Sequence, residues 1–174
     1  MEIKMLKSLY PDYERNSAYE IDYEGLYSAG MRGIIFDIDN TLVPHGEPAD
    51  DKAIAFFQHL KEIGYQTVLL SNNKEPRVKM FSNQVESQYI FKAGKPDTTG
   101  YEKAMQMMNT TTSNTFFVGD QLFTDIWGAN KAGIVSFLTK PIHPKEEIQI
   151  VLKRCLEKIV LFFYHRSCKM TKES

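Results

Sequence analysis

Between residues 31 and 140, five short apolar runs alternate with stretches in which apolar side chains recur every three or four residues. The runs predict strands over residues 33–37, 66–70, 89–92, 115–118 and 134–138. The periodic stretches predict helices over residues 50–63, 75–85, 97–108 and 124–132. Strands and helices that alternate in this way form βαβ units, in which helices cover both faces of a mainly parallel sheet. The pattern therefore predicts an α/β, three-layer, Rossmann-like fold with a five-stranded sheet.

The two ends of the chain follow other patterns. Residues 1–30 are rich in tyrosine and acids and predict an N-terminal arm, in which Asp22 caps a short helix. Residues 145–170 predict an amphipathic helix that carries a wide apolar face and several basic side chains. With residues 31–140 as the core, we expect the 174 residues to form a single domain.

Composition and charge narrow the class of protein. Hydrophobic residues make up 43% of the chain and charged residues 25%, as in soluble globular proteins. The net charge of −1 creates no field that would attract nucleic acid, and we expect no such partner. The two cysteines, Cys155 and Cys168, form no CxxC pair, and no hydrophobic signal segment or membrane-spanning run is present. These features predict a cytoplasmic protein.

Polar residues that can carry chemistry follow four of the predicted strands. In chain order they are Asp37 and Asp39, Ser71 and Asn72, Lys95, and Asp120. Ligands of parallel sheets bind outside the carboxyl ends of the strands, so we expect these side chains to meet in one site. Two carboxylates held two residues apart raise each other's pKa, and a site that keeps them usually holds a cation or transfers protons.

The residue types at this site predict phosphoryl transfer. Asp37 can act as a nucleophile that accepts the phosphoryl group. Asp39 can protonate the leaving oxygen and then activate water. Asp37 and Asp120 can meet around Mg²⁺, which prefers oxygen ligands and neutralises phosphate.

The remaining polar residues can hold the phosphate group. Ser71 and Asn72, with nearby backbone N–H groups, are predicted to bind its oxygens, and Lys95 to balance its charge. Taken singly, each residue also has an ordinary structural interpretation, as a turn residue, a loop residue or a surface lysine. Their common position at strand ends favours the functional interpretation.

The same motifs resemble those of the haloacid dehalogenase superfamily of phosphohydrolases. DIDNT at residues 37–41 matches its first motif, and Ser71 its second. Lys95 within GKP matches the third motif, and GDQLFTD at residues 119–125 matches the fourth. The resemblance extends from about residue 31 to residue 140.

This resemblance implies a role for each matched residue. Asp37 would be the nucleophile and a metal ligand, and Asp39 the acid and base, with its backbone carbonyl also on the metal. Asp120 would be the third protein ligand of Mg²⁺. Thr41 would steady the first loop, and Asp125 would support the metal or the lysine. An aspartate at the Asp39 position is typical of the phosphatases of the superfamily rather than its dehalogenases.

The spacing of the motifs bears on the substrate. Neither the interval from Asp39 to Ser71 nor that from Ser71 to Lys95 is long enough for a cap domain. We therefore expect a site that is open or closed only by another subunit of a homo-oligomer, which suits a bulky phosphate ester. The whole pattern is similar to a capless subgroup, class IIIA or YqeG-like, which is related to mitochondrial phosphatidylglycerophosphate phosphatases. The resemblance implies a lipid-phosphate substrate.

The C-terminal segment allows two interpretations. A basic amphipathic helix with aromatic residues can lie on an anionic membrane, which would place the protein peripherally at its inner face. The alternative is a helix that packs on the sheet or on a partner. Residues 161–164, LFFY, surround the helix and exceed what one core-facing side explains.

Three functions compete at this stage. The first is a Mg²⁺-dependent phosphomonoesterase, with phosphatidylglycerophosphate as a candidate substrate. The second is a protein or nucleotide phosphatase that uses the same residues. The third is a phosphate-sensing or scaffold module such as a receiver domain, whose phosphorylated aspartate lies on a middle strand rather than the first. Because Asp37 and Asp39 follow the first strand, the sequence argues against the third.

Overall fold

The computed structural model describes residues 7–143 and 148–172, and its central feature is a parallel sheet. The sheet contains six strands in the order β1-β6-β5-β2-β3-β4, and every neighbouring pair is parallel. The strands are β1 Tyr13–Arg15, β2 Gly33–Phe36, β3 Gln66–Leu70, β4 Gln88–Ile90, β5 Thr115–Gly119 and β6 Val135–Thr139. The α/β class and the five predicted strands are confirmed, with shifts of one or two residues at most ends.

The prediction of five strands was one too few, because the N-terminal arm contributes β1. Tyr13 pairs with Phe137 and Arg15 with Thr139 at the edge of the sheet. The strand has only three residues and alternates between exposed and half-buried, so it carries no apolar run that the sequence could reveal. The predicted cap in this arm is present, since the Asp22 side chain accepts a hydrogen bond from the Gly25 amide at 2.9 Å.

Helices cover both faces of the sheet, which confirms the three layers. The helices are α1 Tyr23–Ser28, α2 Asp51–Ile63, α3 Glu75–Val85, α4 Thr99–Met108, α5 Trp127–Ala132 and α6 Ile148–Lys172. Strand side chains alternate between the faces, so Phe36 packs in the core under α1, α2 and α3, whereas Ile35 packs under α4 and α5. A wide π-helical turn, Leu122–Ile126, precedes α5, so the helical segment begins two residues before the predicted start at Thr124.

The C-terminal helix packs one side against the core. Val160 and half-buried Leu161 join Leu122, Ile126 and Leu138 in an apolar cluster beside β6. The predicted start of this helix at residue 145 lies outside the described residues, as do the side chains of residues 148–154 and 169–172. Within the described part of the chain, no helix is both long and apolar enough to cross a membrane.

The carboxyl ends of the strands remain uncovered by any inserted domain. Between Asp39 and Ser71 the chain forms only α2 with its loops, and between Ser71 and Lys95 only α3 and β4. Both intervals are described in full. The expectation of a capless core is confirmed.

Candidate active site

Three buried carboxylates converge where β2 and β5 end. These strands are neighbours, and the Asp37 amide donates to the Val118 carbonyl at 2.9 Å, which brings Asp37 beside the Asp120 loop. Oxygen atoms of Asp37, Asp120 and Asp125 all lie within 4.8 Å of one another. The three side chains are almost inaccessible to solvent. So close a group of buried anions requires nearby positive charge.

Lys95, in the loop that follows β4, supplies positive charge to these carboxylates. Its ammonium Nζ lies 2.6 Å from Asp37 Oδ1 and 2.7 Å from Asp125 Oδ1, and the side chain is 3% exposed. The Asn72 side chain fixes the Lys95 backbone, because its Oδ1 accepts from the Lys95 amide at 2.9 Å and its Nδ2 donates to the Lys95 carbonyl at 3.3 Å. The strand-end lysine is therefore a buried member of the site rather than a surface residue.

The buried environment perturbs the ionisation of these groups. Burial raises the pKa of Asp37 to about 7, although Lys95 acts to lower it and Asp125 adds to the rise. Burial acts to lower the pKa of Lys95, but Asp125 and Asp37 outweigh it, so that its pKa lies above the ordinary value. The lysine thus stays charged, while the Asp37 carboxylate lacks full compensation at neutral pH. A divalent cation at the carboxylates would supply the missing charge.

Asp125 and Thr41 hold the carboxylate group in place. Asp125 Oδ2 accepts hydrogen bonds from the backbone amides of Asp120 and Gln121, at 3.2 and 3.1 Å. Thr41 Oγ1 donates to Asp120 Oδ1 at 3.2 Å and lies 3.5 Å from Asp37 Oδ2. These contacts suit the supporting positions predicted for both residues.

Asp39 lies apart from the three converging carboxylates and has its own set of partners. Its carboxylate accepts from Arg77 Nη2 at 2.9 Å, from Asn73 Nδ2 at 2.7 Å and from the Gly46 amide at 2.8 Å. The side chain is 12% exposed. Asp39 is thus held by Arg77, Asn73 and Gly46 rather than by the three converging carboxylates.

Ser71 directly follows β3, the strand next to β2. The side chain is buried, and its Oγ accepts a hydrogen bond from the Asn73 amide at 3.2 Å. Its hydroxyl hydrogen remains able to donate to an anion, as a phosphate contact requires. Asn72 contacts the backbone of Lys95, an arrangement that favours positioning of the lysine; its predicted contact with phosphate stays a prediction.

Arg77 and Asn73 are site residues that were missed at the level of the sequence. Arg77 lies in the first turn of α3, where a positive charge is unfavourable because of the helix dipole. This unfavourable position was the one sign in the sequence that Arg77 contacts a negative group elsewhere. Its Nε and Nη1 atoms are buried without a hydrogen-bond partner among the described residues. Asn73 follows Ser71 and Asn72 directly and carried no distinguishing signal.

The donor set fits a hard divalent cation. Asp37 and Asp120 offer carboxylate oxygens, which Mg²⁺ prefers, and no sulfur or imidazole ligand belongs to the three-carboxylate group within the described chain. Both Asp125 oxygens already accept hydrogen bonds, so this residue is better placed to orient its neighbours than to bind the ion directly.

Comparisons with known proteins find relatives over most of the chain. Residues 45–133 match the family model of haloacid dehalogenase-like hydrolases. The chain is 34% identical to the probable phosphatase YqeG of Bacillus subtilis over 159 residues, covering 90% of this chain and 92% of that protein. It is 28% identical to a chloroplastic/mitochondrial phosphatidylglycerophosphate phosphatase 1 of Arabidopsis thaliana, covering 75% of this chain but only 40% of the plant protein.

Solved structures share the fold at low sequence identity. A cobalt-bound deoxy-D-mannose-octulosonate 8-phosphate phosphatase of Haemophilus influenzae has a TM-score of 0.52 at 17% identity, covering 62% of this chain and 68% of that one. An uncharacterized protein of Listeria monocytogenes gives the same TM-score and identity, covering 68% and 86%. The family match, the long alignment with YqeG and the geometry of the four strand ends lead to one conclusion: the chain belongs to the haloacid dehalogenase-like hydrolases.

Proposed function

We propose that the protein is a Mg²⁺-dependent phosphomonoesterase that acts through an aspartyl-phosphate intermediate on Asp37. The observation that carries this proposal is the buried Asp37 carboxylate, which lies 2.6 Å from Lys95 and within 4.8 Å of Asp120. A carboxylate in such a site is shielded from water and surrounded by groups that can stabilise a phosphate beside it. The phosphatase name of the YqeG relative supports the same reaction class.

The residues divide the reaction into two steps. A carboxylate oxygen of Asp37 attacks phosphorus, the bond from phosphorus to the alcohol oxygen breaks, and Asp39 gives a proton to that oxygen. Asp39 then takes a proton from water, which attacks phosphorus and releases inorganic phosphate and the Asp37 carboxylate. Asp39 follows Asp37 by two residues, and its carboxylate is held in one orientation by Arg77, Asn73 and the Gly46 amide, which suits both transfers.

Other residues would bind the charged parts of the reactants. Asp37 and Asp120 carboxylates and the Asp39 backbone carbonyl would hold the metal, with Asp125 and Thr41 behind them. When bound, Mg²⁺ neutralises phosphate charge and orients its oxygens. Ser71, Asn72 and Lys95 are the proposed phosphate contacts, and Lys95 also orients the nucleophile through its 2.6 Å contact.

The proposed substrate is phosphatidylglycerophosphate or another bulky phosphate ester. The strand ends are uncapped in this chain, so a large alcohol portion can extend away from the site. The Arabidopsis relative is named as a phosphatidylglycerophosphate phosphatase, although this chain covers only 40% of it. The alternative on the same site is a protein or nucleotide phosphatase. A panel of lipid phosphates, nucleotides, sugar phosphates and phosphopeptides, assayed with Mg²⁺, separates these substrates; hydrolysis of none would contradict the proposed function.

The proposal includes a peripheral contact between α6 and an anionic membrane. The helix packs on the core through Glu157, Val160 and Leu161, which agrees with the packing alternative. A second apolar stripe faces solvent, with exposed fractions of 54% for Leu156, 56% for Ile159, 61% for Phe162 and 48% for Phe163. Exposed Arg166 adds positive charge to the same helix. Such a surface suits an anionic lipid interface.

Removal of metal is expected to abolish turnover and lower thermal stability. EDTA should remove activity, Mg²⁺ should restore it, and Ca²⁺ should inhibit because it tolerates a less regular coordination. Burial raises the pKa of Asp37 to about 7, so at pH 5.5 a proton competes with the cation, whereas at pH 8 it does not. Mg²⁺ at 100 times its Kd should therefore stabilise by about 2.7 kcal/mol at pH 8 and by less at pH 5.5. Melting curves with and without Mg²⁺ at both pH values check this; equal or absent shifts would contradict the metal site.

Replacing Asp39 by Asn is expected to separate acid–base catalysis from metal binding. Loss of a general acid and base should lower kcat by about 10²–10⁴-fold. The backbone carbonyl remains, so Mg²⁺ affinity, measured by calorimetry, should stay near that of the wild type. Asp120→Ala is the comparison, because it removes a proposed metal ligand. Equal loss of Mg²⁺ binding in both variants would show that the division of roles is wrong.

Replacing Phe162 and Phe163 together by Ser is expected to remove membrane binding. Burying one phenylalanine at an interface contributes about 1.5–3 kcal/mol, so the loss of two should reduce vesicle binding at least 100-fold. The wild type should co-sediment with anionic vesicles, less so at high salt, and bind neutral vesicles poorly. Met80→Ser is the control, since Met80 is 41% exposed on α3. Substitution is preferable to deletion of α6, which would expose the cluster around Leu138.

Failure of the wild-type protein to co-sediment with anionic vesicles would contradict the peripheral contact. Binding that survives the double substitution unchanged would place the contact elsewhere on the surface. Neither outcome bears on hydrolysis of a small soluble phosphate ester, which needs only the strand-end residues.

A further inference from the structure

A groove of about 600 Å³ runs between α6, the end of β6 and the N-terminal arm. Part of its lining is apolar, from Leu122, Leu138, Pro141 and Leu161, and two lysines, Lys140 and Lys158, also line it. Its volume falls within the range of small-molecule sites, about 300–1,000 Å³. The groove is therefore large enough for a substantial part of a ligand.

The groove adjoins the active site at one residue. Asp120, a proposed metal ligand, forms part of its wall. The wall on the α6 side is fixed to the same loop, because buried Glu157 accepts a hydrogen bond from the Leu122 amide at 2.8 Å. This shared residue would let a molecule whose phosphate lies beside Asp120 extend into the groove.

Two other cavities lack this connection. A cavity of about 170 Å³ is lined by α2, α3 and the start of β3, and another of about 640 Å³ lies where α3 leads into β4. Both lie towards the amino ends of the strands, and their linings contain none of the proposed site residues. Of these three cavities, the α6 groove is the one that a substrate bound at the carboxylates would enter.

We propose that the α6 groove binds the alcohol portion of the phosphate ester, and that this portion carries an apolar chain. The inference rests on the proposed phosphomonoesterase function and adds the location and chemistry of the leaving-group site. The leucines and the proline would contact methylene groups, which gain free energy when they leave water.

The polar groups of the groove are consistent with this ligand. Glu14 contacts His165 at 2.7 Å and Glu157 accepts from Leu122, so two of the acids that line the groove already have partners. Lys140 and Lys158 would suit an additional anionic group on the alcohol portion, such as a phosphodiester. A purely polar sugar alcohol would have no apolar groups to contact the leucines that line the groove.

Hydrolysis of straight-chain alkyl phosphates tests the proposal. Methyl, butyl, hexyl and octyl phosphate would be assayed with Mg²⁺ below the concentrations at which they form micelles. We expect kcat/KM to rise with chain length, by about fourfold for each methylene group that is buried. Leu161→Trp, which narrows the groove, should flatten this rise and leave methyl phosphate almost unaffected. Ile159→Trp is the matched control, because Ile159 lies on the same helix outside the groove and is 56% exposed.

Calorimetry with alkylphosphonates, which are not hydrolysed, provides a second readout. Octylphosphonate should bind wild-type protein more tightly than methylphosphonate, and Leu161→Trp should remove the difference. Should that variant fail to fold, the two wild-type comparisons decide the question alone.

The outcomes distinguish the groove from the reaction. Hydrolysis of all four esters at equal kcat/KM would overturn the groove proposal and leave the phosphatase function intact. A chain-length dependence that persists in correctly folded Leu161→Trp would also overturn it. Tighter binding of octylphosphonate without hydrolysis of any ester would support the groove and contradict the proposed function.

Discussion

Asp37→Asn is expected to reduce phosphatase activity by about 10⁴-fold or more, because an amide cannot attack phosphorus and form the covalent intermediate. The variant should fold, since Asn has nearly the same shape and can still accept a hydrogen bond from Lys95, which contacts Asp37 at 2.6 Å in the wild type. Removing a buried carboxyl whose pKa is raised to about 7 should not lower stability at neutral pH in the metal-free protein. Activity against the best substrate of the panel and melting temperature with EDTA measure the two effects.

Asp51→Asn is the matched control for this variant. Asp51 is exposed at the start of α2, so the same chemical change there should leave kcat unchanged. Full turnover by Asp37→Asn, after exclusion of contaminating wild-type enzyme, would exclude covalent catalysis at this residue.

Lys95→Met is expected to be the most destabilising of the substitutions proposed in the site. It leaves the Asp37 and Asp125 carboxylates buried without the ammonium that now lies 2.6 and 2.7 Å away. Breaking a buried ion pair by removing one partner typically costs about 3–5 kcal/mol. Activity should fall as well, because the nucleophile loses the contact that orients it.

The pH dependence of this loss has a definite sign. Without Lys95 the pKa of Asp37, already raised by burial, should rise further above its unfolded value. The folded state then binds more protons than the unfolded state, so stability falls as pH rises. The deficit relative to wild type should be larger at pH 8 than at pH 5, measured by denaturant unfolding with EDTA. Lys103→Met, a change at an exposed position on α4, is the control. An equal loss of stability in both variants would contradict the claim that Lys95 stabilises the buried carboxylates.

The sequence predicted most of the sheet because its strands are buried and apolar. Residues 33–36 are all inaccessible, so this strand reads as a continuous hydrophobic run, and the polar residues that follow it were recognisable as strand ends. Helix-capping residues were also predictable from the sequence. The Asp50 side chain, for example, accepts a hydrogen bond from the Ala53 amide at 2.8 Å at the start of α2. Strand β1 was missed because it has only three edge residues, two exposed and one half-buried, and these are too few for a periodic signal.

Candidate site residues were predictable where they belong to a distinctive sequence motif. They were not predictable where their contact with the site depends only on how the chain folds. Asp37, Lys95 and Asp120 come together as expected, since parallel strands bring their carboxyl ends to one edge. Arg77 lies on a helix between two motifs, and its contact with Asp39 depends on how α3 packs. The α6 groove could not be predicted, because it requires the docking of α6 beside β6, which no local pattern specifies.

Detection of phosphate on Asp37 tests the central claim most directly. Protein mixed with Mg²⁺ and its best substrate, quenched in acid within the first turnover, would be digested and analysed by mass spectrometry. We expect the mass of one phosphoryl group on the peptide that contains Asp37, at a level that rises and decays with turnover and is absent from Asp37→Asn. Rapid hydrolysis with no phosphorylated peptide at any time, or with phosphate on another residue, would contradict an aspartyl-phosphate mechanism at Asp37.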